Sequence, residues 1–269
     1  MGSFLFAPEK NKKYFLKCKN IQGREKRFEL PAAINTCSLF ATFRNNSHFL
    51  MVEKSPDCTE QPLYLLIQSR GFPYYFNLWD NSQKYLAVPS SELPSGVIQF
   101  LLFDGDMNQL SERLVFNKSN DQAEAIFQTD RDVYGRKEIV KAELFIQDAD
   151  GAILEGNLSV SITDDRDIKP DSMSTILSSL LLSSELKGYI ENPAYYLHDN
   201  PQSEYALDLL MLTHGWRRYN IPAVVKGKYE FPKKIFEQSK GITGTVTSRV
   251  LKRPVEGSNV TPDFDNASP

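Results

Sequence analysis

LPSGVIQFLLFDGDMNQLSERLVF, Leu93 to Phe116, is the stretch on which the reading of this chain turns. VIQFLLFD and ERLVFN are apolar runs of strand length, and Asp104-Gly105-Asp106 between them has the chemistry of a hairpin tip. Pro94-Ser95-Gly96 places a turn or strand boundary just before the first run. The same grammar continues toward the N-terminus. SFLFAP, KKYFLKCK, EKRFELP, SLFATFR, HFLMVEK, LYLLIQS, YYFNLW and KYLAVP succeed one another at intervals of roughly 8 to 15 residues, as β-sandwich strands do. Several alternate with period two: Tyr14, Leu16 and Cys18 take one face, Phe15, Lys17 and Lys19 the other. Gly71-Phe72-Pro73 marks a further turn or boundary.

Beyond this hairpin the polar segment KSNDQ, ending at Gln122, predicts a domain junction. AIFQTD, VKAELFIQD and NLSVSITD predict more strands, with Asp148-Ala149-Asp150-Gly151 as a hairpin loop. The period then changes. Met173, Ile176, Leu177, Leu180, Leu181 and Leu186 recur at near-helical spacing, with Pro170 and Asp171 or Ser172 as start and Gly188 as stop, predicting a helix from Asp171 to Lys187. Tyr205, Ala206, Leu209, Leu210 and Leu212 predict a second from Ser203 to His214, with Gly215 placed to cap it. After Ile221-Pro222, KYEFPKKIF and GITGTVTS return to strand character, and the ending VEGSNVTPDFDNASP reads as a domain barely begun.

Bulk properties narrow the function classes. At 269 residues the chain has room for two or more cores, and 41% hydrophobic, 24% charged and 12% aromatic residues describe a folded protein. A net charge of -3, from 31 basic and 34 acidic residues interspersed along the chain, gives no field for a polyphosphate, so nucleic acid is not an expected partner. No apolar run reaches the length that crosses a bilayer as a helix, and no export signal is visible at the start. A strand entering at Ser3 suggests an excised piece of a longer protein. Cys18, Cys37 and Cys58 are odd in number and lack C-x-x-C spacing; no disulfide framework is indicated, and one bridge among them is left open.

Each candidate for chemistry is incomplete. Ser184 and Lys187 have the S-x-x-K spacing of a serine nucleophile and lysine base, without the companion S-D-N and K-T-G elements. His48, His198 and His214 are not at metal-ligand spacing, and His214 suits a helix C-terminus. Asp104-Gly-Asp-Met-Asn108 copies the opening of a calcium loop, but Val115 stands where the bidentate Glu belongs. Thr163-Asp164-Asp165-Arg166-Asp167 reads as a solvated turn. Catalytic, metal and cofactor residues are therefore all expected to be none. Two aromatic concentrations remain. Tyr74, Tyr75, Phe76 and Trp79 cannot all face one core if the segment is extended, so they are either an interaction surface for sugar or protein or a domain-packing seam. Gly215-Trp216-Arg217-Arg218-Tyr219 is expected to anchor the helical pair by stacking.

Together, LPSGVIQFLLFDGDMNQLSERLVF, QTDRDVYGRKEIVKAELFIQDADGAILEGNLSVSITD (128–164), LLLSSELKGYIENPAYYL (180–197) and ALDLLMLTHGWRRY (206–219) resemble the tandem macroglobulin-like domains of large Gram-negative envelope proteins. In those proteins a carboxypeptidase-regulatory-like domain and a TonB-receptor-type plug often follow, and GITGTVTSRVLKRPVEGSNVT is similar to the opening strands of the former. The resemblance implies fibronectin-like sandwiches, export to the periplasm or outer-membrane surface, and no catalytic residues. The thioester motif C-G-E-Q of classical macroglobulins is missing, since Lys19, Ser38 and Thr59 follow the three cysteines, so protease trapping is not implied.

The expected architecture is mainly β: tandem Ig/fibronectin-like, macroglobulin-like β-sandwiches. Residues 1–31 would finish one sandwich, 32–118 form a second, 119–239 form a third with the helical insert 171–220, and 240–269 begin a carboxypeptidase-regulatory-like domain. The expected function is a non-enzymatic structural or interaction module of a receptor-like envelope protein, contacting other domains of its own polypeptide or other envelope proteins. The alternative is a module that binds glycan or peptide in nutrient uptake.

Overall fold

The computed structural model describes residues 6–228, apart from 10, 59, 60, 120, 165, 167, 170 and 215–217, together with 247. The protein is mainly β. Its described strands are β1 (Phe15–Lys19), β2 (Glu25–Glu29), β3 (Cys37–Arg44), β4 (Ser47–Lys54), β5 (Tyr64–Ser69), β6 (Phe72–Leu78), β7 (Leu86–Pro89), β8 (Gly96–Phe103), β9 (Gln109–Asn117), β10 (Glu124–Thr129) and β11 (Ala142–Gln147). β3 to β9 make one complete sandwich: a three-stranded antiparallel sheet, β3-β4-β7, faces a four-stranded one, β6-β5-β8-β9. β1-β2 and β10-β11 are separate two-stranded sheets.

Tight turns set the registers. Asn45 and Asn46 both have positive φ (49° and 55°) and join β3 to β4, with Arg44 opposite Ser47. Arg70 (53°) and Gly71 (81°) do the same between β5 and β6. Two consecutive left-handed residues give the turn whose twist matches that of the flanking strands. Asp104 closes the β8-β9 turn, its carboxylate accepting from the backbone N–H groups of Asp106 and Asn108.

The sandwich core alternates as period two demands. Leu39 and Leu50 of one sheet meet Leu65, Ile67, Ile98, Phe100, Leu102 and Val115 of the other, with Val88 and Trp79 closing the ends. β8 is buried along its whole length, on both faces. Its odd-numbered side chains Val97, Leu101 and Phe103 point outward and are covered by the helical segment. That segment comprises α1 (Ile176–Ser178) running into a π-helical turn (Ser179–Ser183), a 3-10 turn (Pro193–Leu197), α2 (Pro201–Thr213) and α3 (Ile221–Val225). Val97 and Leu114 pack with Leu182, Leu186, Ile190, Leu207 and Met211, whereas Leu66, Leu101 and Phe103 pack with Ile221.

Both helices match the expected face only in part: Leu186, Leu209 and Leu210 pack inward as expected, and other positions do not. Met173, Ile176, Leu177 and Leu180 of the expected stripe are exposed; Leu186 is buried as expected, and Ser178 and Leu182 are buried with it. Serines cause the shift. Ser178 Oγ donates to the Thr175 carbonyl and Ser184 Oγ to the Leu180 carbonyl, offering the backbone partners that compete with a regular ladder, and Ser184 N–H reaches back five residues to Ser179. The resulting wide turn breaks the 3.6-residue stripe, so no regular helix spans Asp171 to Lys187. In α2 the buried row is Ser203, Leu207 and Met211 with Leu209, while Tyr205 and Leu212 are exposed. Asn200 caps α2 by accepting from the Ser203 N–H, and Pro201 occupies its first turn.

Within 119–239 the described residues show the β10-β11 hairpin and the helices, and the helices lie on the 37–117 sandwich. β10 and β11 pair from Glu124–Gln147 to Thr129–Ala142, and Gly151 (φ 82°) turns the chain back to a bridge at Ile153. NLSVSITD carries no strand; Leu158, Val160 and Ile162 are exposed. KYEFPKKIF from Tyr229 on, nearly all of GITGTVTS and the ending VEGSNVTPDFDNASP lie outside the described residues, as does the first half of SFLFAP, whose described residues Phe6, Ala7 and Pro8 carry no strand.

Because β8 is covered twice, an outward residue should matter as much as an inward one. Leu101→Ala is expected to cost about 2–5 kcal/mol, in the range of Leu102→Ala. Urea denaturation of both variants measures this; a loss below about 1 kcal/mol for Leu101→Ala would mean the outer face is open.

Candidate functional site

The aromatic concentration after Gly71 sits on β6, an edge strand of the four-stranded sheet. Pro73, which has no N–H to donate, is compatible with an edge. The pairing with β5 shifts between Ile67 and Gln68: Tyr75 stands opposite Ile67 and Pro73 opposite Gln68, leaving Tyr74 as the extra residue of a bulge. The bulge sorts the rings. Tyr75 packs against the core and Trp79, 7% exposed, belongs to it. Phe76, 53% exposed, stands opposite Leu66 on the outer face and stacks on Tyr64 at 5.9 Å and 19°. Phe72, 62% exposed, meets Tyr74 edge-on at 5.2 Å, and Leu78 is exposed beyond them.

Of Tyr74, Tyr75, Phe76 and Trp79, then, Tyr74 and Phe76 reach the surface and the other two turn inward. Phe72 and Leu78 complete the exposed apolar strip. Alternation alone could have placed Leu78 beside Phe76; the bulge that sets the rest has no sequence signal.

A second concave feature lies between the open side of β3, β9 and α2. It is a cavity of about 430 Å³ lined by Ala41, Phe43, His48, Phe116, Leu207 and, at its rim, Lys118. His48 is 2% exposed. Its Nε2 is 2.8 Å from Asn117 Oδ1, which also accepts from Ser90 Oγ. Asn117 Nδ2 in turn donates to the carbonyls of Ser90, Leu93 and Pro94. Since Asn117 offers only its oxygen to the ring, His48 carries its proton on Nε2. Its Nδ1 is a buried lone pair with no hydrogen-bond partner among the described residues. Burial, opposed by the Asn117 bond, holds the His48 pKa below its ordinary value.

The remaining candidates fall apart as sites. Ser184 Oγ is committed to Leu180, and Lys187 is exposed with its carbonyl 2.7 Å from His214 Nε2. His214 caps α2, its N–H donating to the Leu210 carbonyl. His198 lies against Tyr195. Burial raises the Asp104 pKa, but hydrogen bonds from Asn108 and Asp106 and the charge of Lys226 outweigh it and hold the carboxyl low; that carboxylate is engaged by its own turn, and Val115 is a core residue. Arg166 clasps Asp164 from two residues away and lowers its pKa, while Asp165 and Asp167 lie outside the described residues. Among the described residues no three His, Cys, Asp or Glu side chains converge as metal ligands, and no helix is long and apolar enough to cross a membrane.

Gly215, Trp216 and Arg217 are outside the described residues. Arg218 lies over the Tyr219 ring at 5.5 Å, and its N–H donates to the Glu185 carbonyl. Tyr219 packs with Leu66, Leu101 and Phe103, and its ring would lie 3.7 Å from a Cβ at Gly71. This residue joins the helical segment to the β5-β6 turn.

No protein-family profile matches the chain, and no curated protein matches it. Among solved structures, the extracellular region of rat CD45, domains d3-d4, is similar over 43% of this chain and 68% of that one, with 14% identity and a TM-score of 0.23.

The His48 arrangement fixes a pH dependence. Below about pH 6.5 the unfolded chain protonates this histidine while the fold resists, so the unfolded state binds more protons and stability falls with falling pH; above that value His48 contributes no slope. Urea titrations between about pH 7.5 and 5 are expected to show a shallower decline for His48→Gln than for the unsubstituted protein. Parallel declines would show that His48 is not held neutral.

Proposed function

We propose that this chain is a non-enzymatic structural and interaction module of a larger, exported envelope protein, of the macroglobulin-like, receptor-associated kind that its sequence resembles. It spaces and orients neighbouring regions and makes its contact through β6. The observation that carries this reading is the exposed strip Phe72, Tyr74, Phe76 and Leu78 on an edge strand. Contiguous exposed apolar surface marks interaction sites, and an unprotected edge offers free backbone groups for a partner strand. The strip has no charged residue of its own to repel such pairing; Pro73 has no N–H to offer, and the Leu78 N–H is taken by Asn77 Oδ1 at 2.8 Å. Further support comes from Ser184, whose hydroxyl is bonded to a carbonyl rather than poised on Lys187.

The ligand-binding alternative rests on the same rings, since two flat exposed aromatics can also stack on a sugar face. One variant separates the two. Phe72→Ser/Tyr74→Ser/Phe76→Ser, made in the intact protein, is expected to remain folded and to lose hydrogen-exchange protection at β6 and at the surface that it meets. Calorimetric titration of the unsubstituted chain with oligosaccharides is expected to give no saturable heat. Saturable binding that the triple variant abolishes would reassign the strip to glycan capture, and unchanged β6 protection in the intact protein would remove its role as a contact.

A further inference from the structure

The three cysteines are not equivalent. Cys18 is exposed on β1, whereas Cys37 and Cys58 are buried in the sandwich core. Their Sγ atoms are 2.9 Å apart, against about 2.0 Å for a disulfide. The backbone holds both ends of this contact. Cys37 begins β3 opposite Lys54, Ser55 N–H donates to the Thr36 carbonyl at 3.1 Å, and Cys58 N–H donates to the Ser55 carbonyl at 2.9 Å. Cys37 Sγ also lies 3.8 Å from the Cys58 carbonyl. The pair thus sits across the open end of the β3-β4 hairpin, where the chain leaves the three-stranded sheet to begin β5 in the opposite one.

We propose that Cys37 and Cys58 are a disulfide site, closed by thiol–disulfide exchange with a disulfide-bearing oxidant, and that the bond staples the β3-β4 hairpin to the crossover between the two sheets. The inference goes beyond the module reading and does not rest on it. In the exchange one cysteine thiolate attacks a sulfur of the oxidant, forming a mixed disulfide and expelling one thiolate. The second cysteine thiolate attacks the protein-side sulfur and expels the other. Two protein thiols become one disulfide, the oxidant becomes two thiols, and the two protons lost by the cysteines balance the two expelled thiolates.

Timing follows from the site. Burial, with the neighbouring Cys58 thiol second, pushes the Cys37 thiol up to about 12, and the thiolate is the reacting form. The folded dithiol is therefore slow to react. The bond forms while the chain is still folding, and once formed it is shielded from reductants. Cys18 is exposed on β1, apart from the buried pair, and forms no disulfide within the chain.

The test is to refold the full 269-residue chain from denaturant in mixtures of oxidised and reduced glutathione, trap free thiols with an alkylating reagent, and map the peptides by mass. The expected product has residues 37 and 58 linked, lighter by two hydrogens than the dithiol, with Cys18 alkylated or carrying glutathione. Its Tm should exceed that of the reduced protein by roughly 5–10 °C, since the bond removes freedom from the unfolded chain. The Cys37→Ala/Cys58→Ala variant should show no such difference between the two refolding conditions, whereas Cys18→Ser should keep it. Adding the oxidant after folding is expected to give linkage at least tenfold more slowly. Recovery of Cys37 and Cys58 both alkylated under oxidising refolding, or of either linked to Cys18, would overturn the proposal. Mapping on the unsubstituted chain decides this even if the double variant fails to fold.

Discussion

β8 is a strand with no solvent side, and the rest of the architecture follows from the need to cover it twice. Ile98, Phe100 and Leu102 fill the space between the two sheets, while Val97, Leu101 and Phe103 would lie bare if nothing lay on the outer face. Pieces as short as α1, α3 and the 3-10 turn between them have no stability of their own in water, because nucleating a helix costs more than one or two turns return. They persist because Leu182, Leu186, Met211 and Ile221 are what the outer face of β8 requires. Sheet and helices are thus mutually conditional: the strand is fully apolar on account of the helices, and the helices hold on account of the strand.

Polar groups set the register of this double interface. On the outer face Gln68 and Gln99 are hydrogen-bonded across β5 and β8, Gln99 Nε2 reaches Glu112 on β9 at 2.9 Å, and Gln68 Oε1 accepts from the Gly71 N–H at 2.8 Å. A slip of one residue would send each of these side chains into the core without partners. At the far end of β9, Asn117 ties three carbonyls, one hydroxyl and His48 into one knot, so the loop before β8 and the end of β9 cannot move independently. Buried networks of this kind contribute specificity when every member is satisfied. His48 Nδ1 is the one atom here that departs from that condition.

The outer face is not covered evenly. Helices lie over β5, β8 and β9 but the strip on β6 remains exposed, and the bulge at Tyr74 determines which rings it contains. One inserted residue separates Trp79 and Tyr75, which stabilise the sandwich, from Phe72, Tyr74 and Phe76, which are free to meet a partner. The contrast between a covered face and an exposed edge on the same sheet is the asymmetry on which the proposed contact through β6 rests.

The sequence by itself determined the strands of the sandwich, the turns at Gly71 and Asp104, the mainly β class, and the helix that ends at His214. Those features are local: period-two alternation, turn chemistry and capping need no knowledge of distant residues. What tertiary structure decided is which surface each element meets. Ser178 and Ser184 rewrote the face of the first helix through backbone bonds that no apolar periodicity encodes, and the partner strand β9 selected Ser203, Leu207 and Met211 over Tyr205 and Leu212 in α2. The pairing of Cys37 with Cys58 has the same origin. Residues 21 apart in the chain meet because the β3-β4 hairpin folds them together, and that proximity exists only in three dimensions.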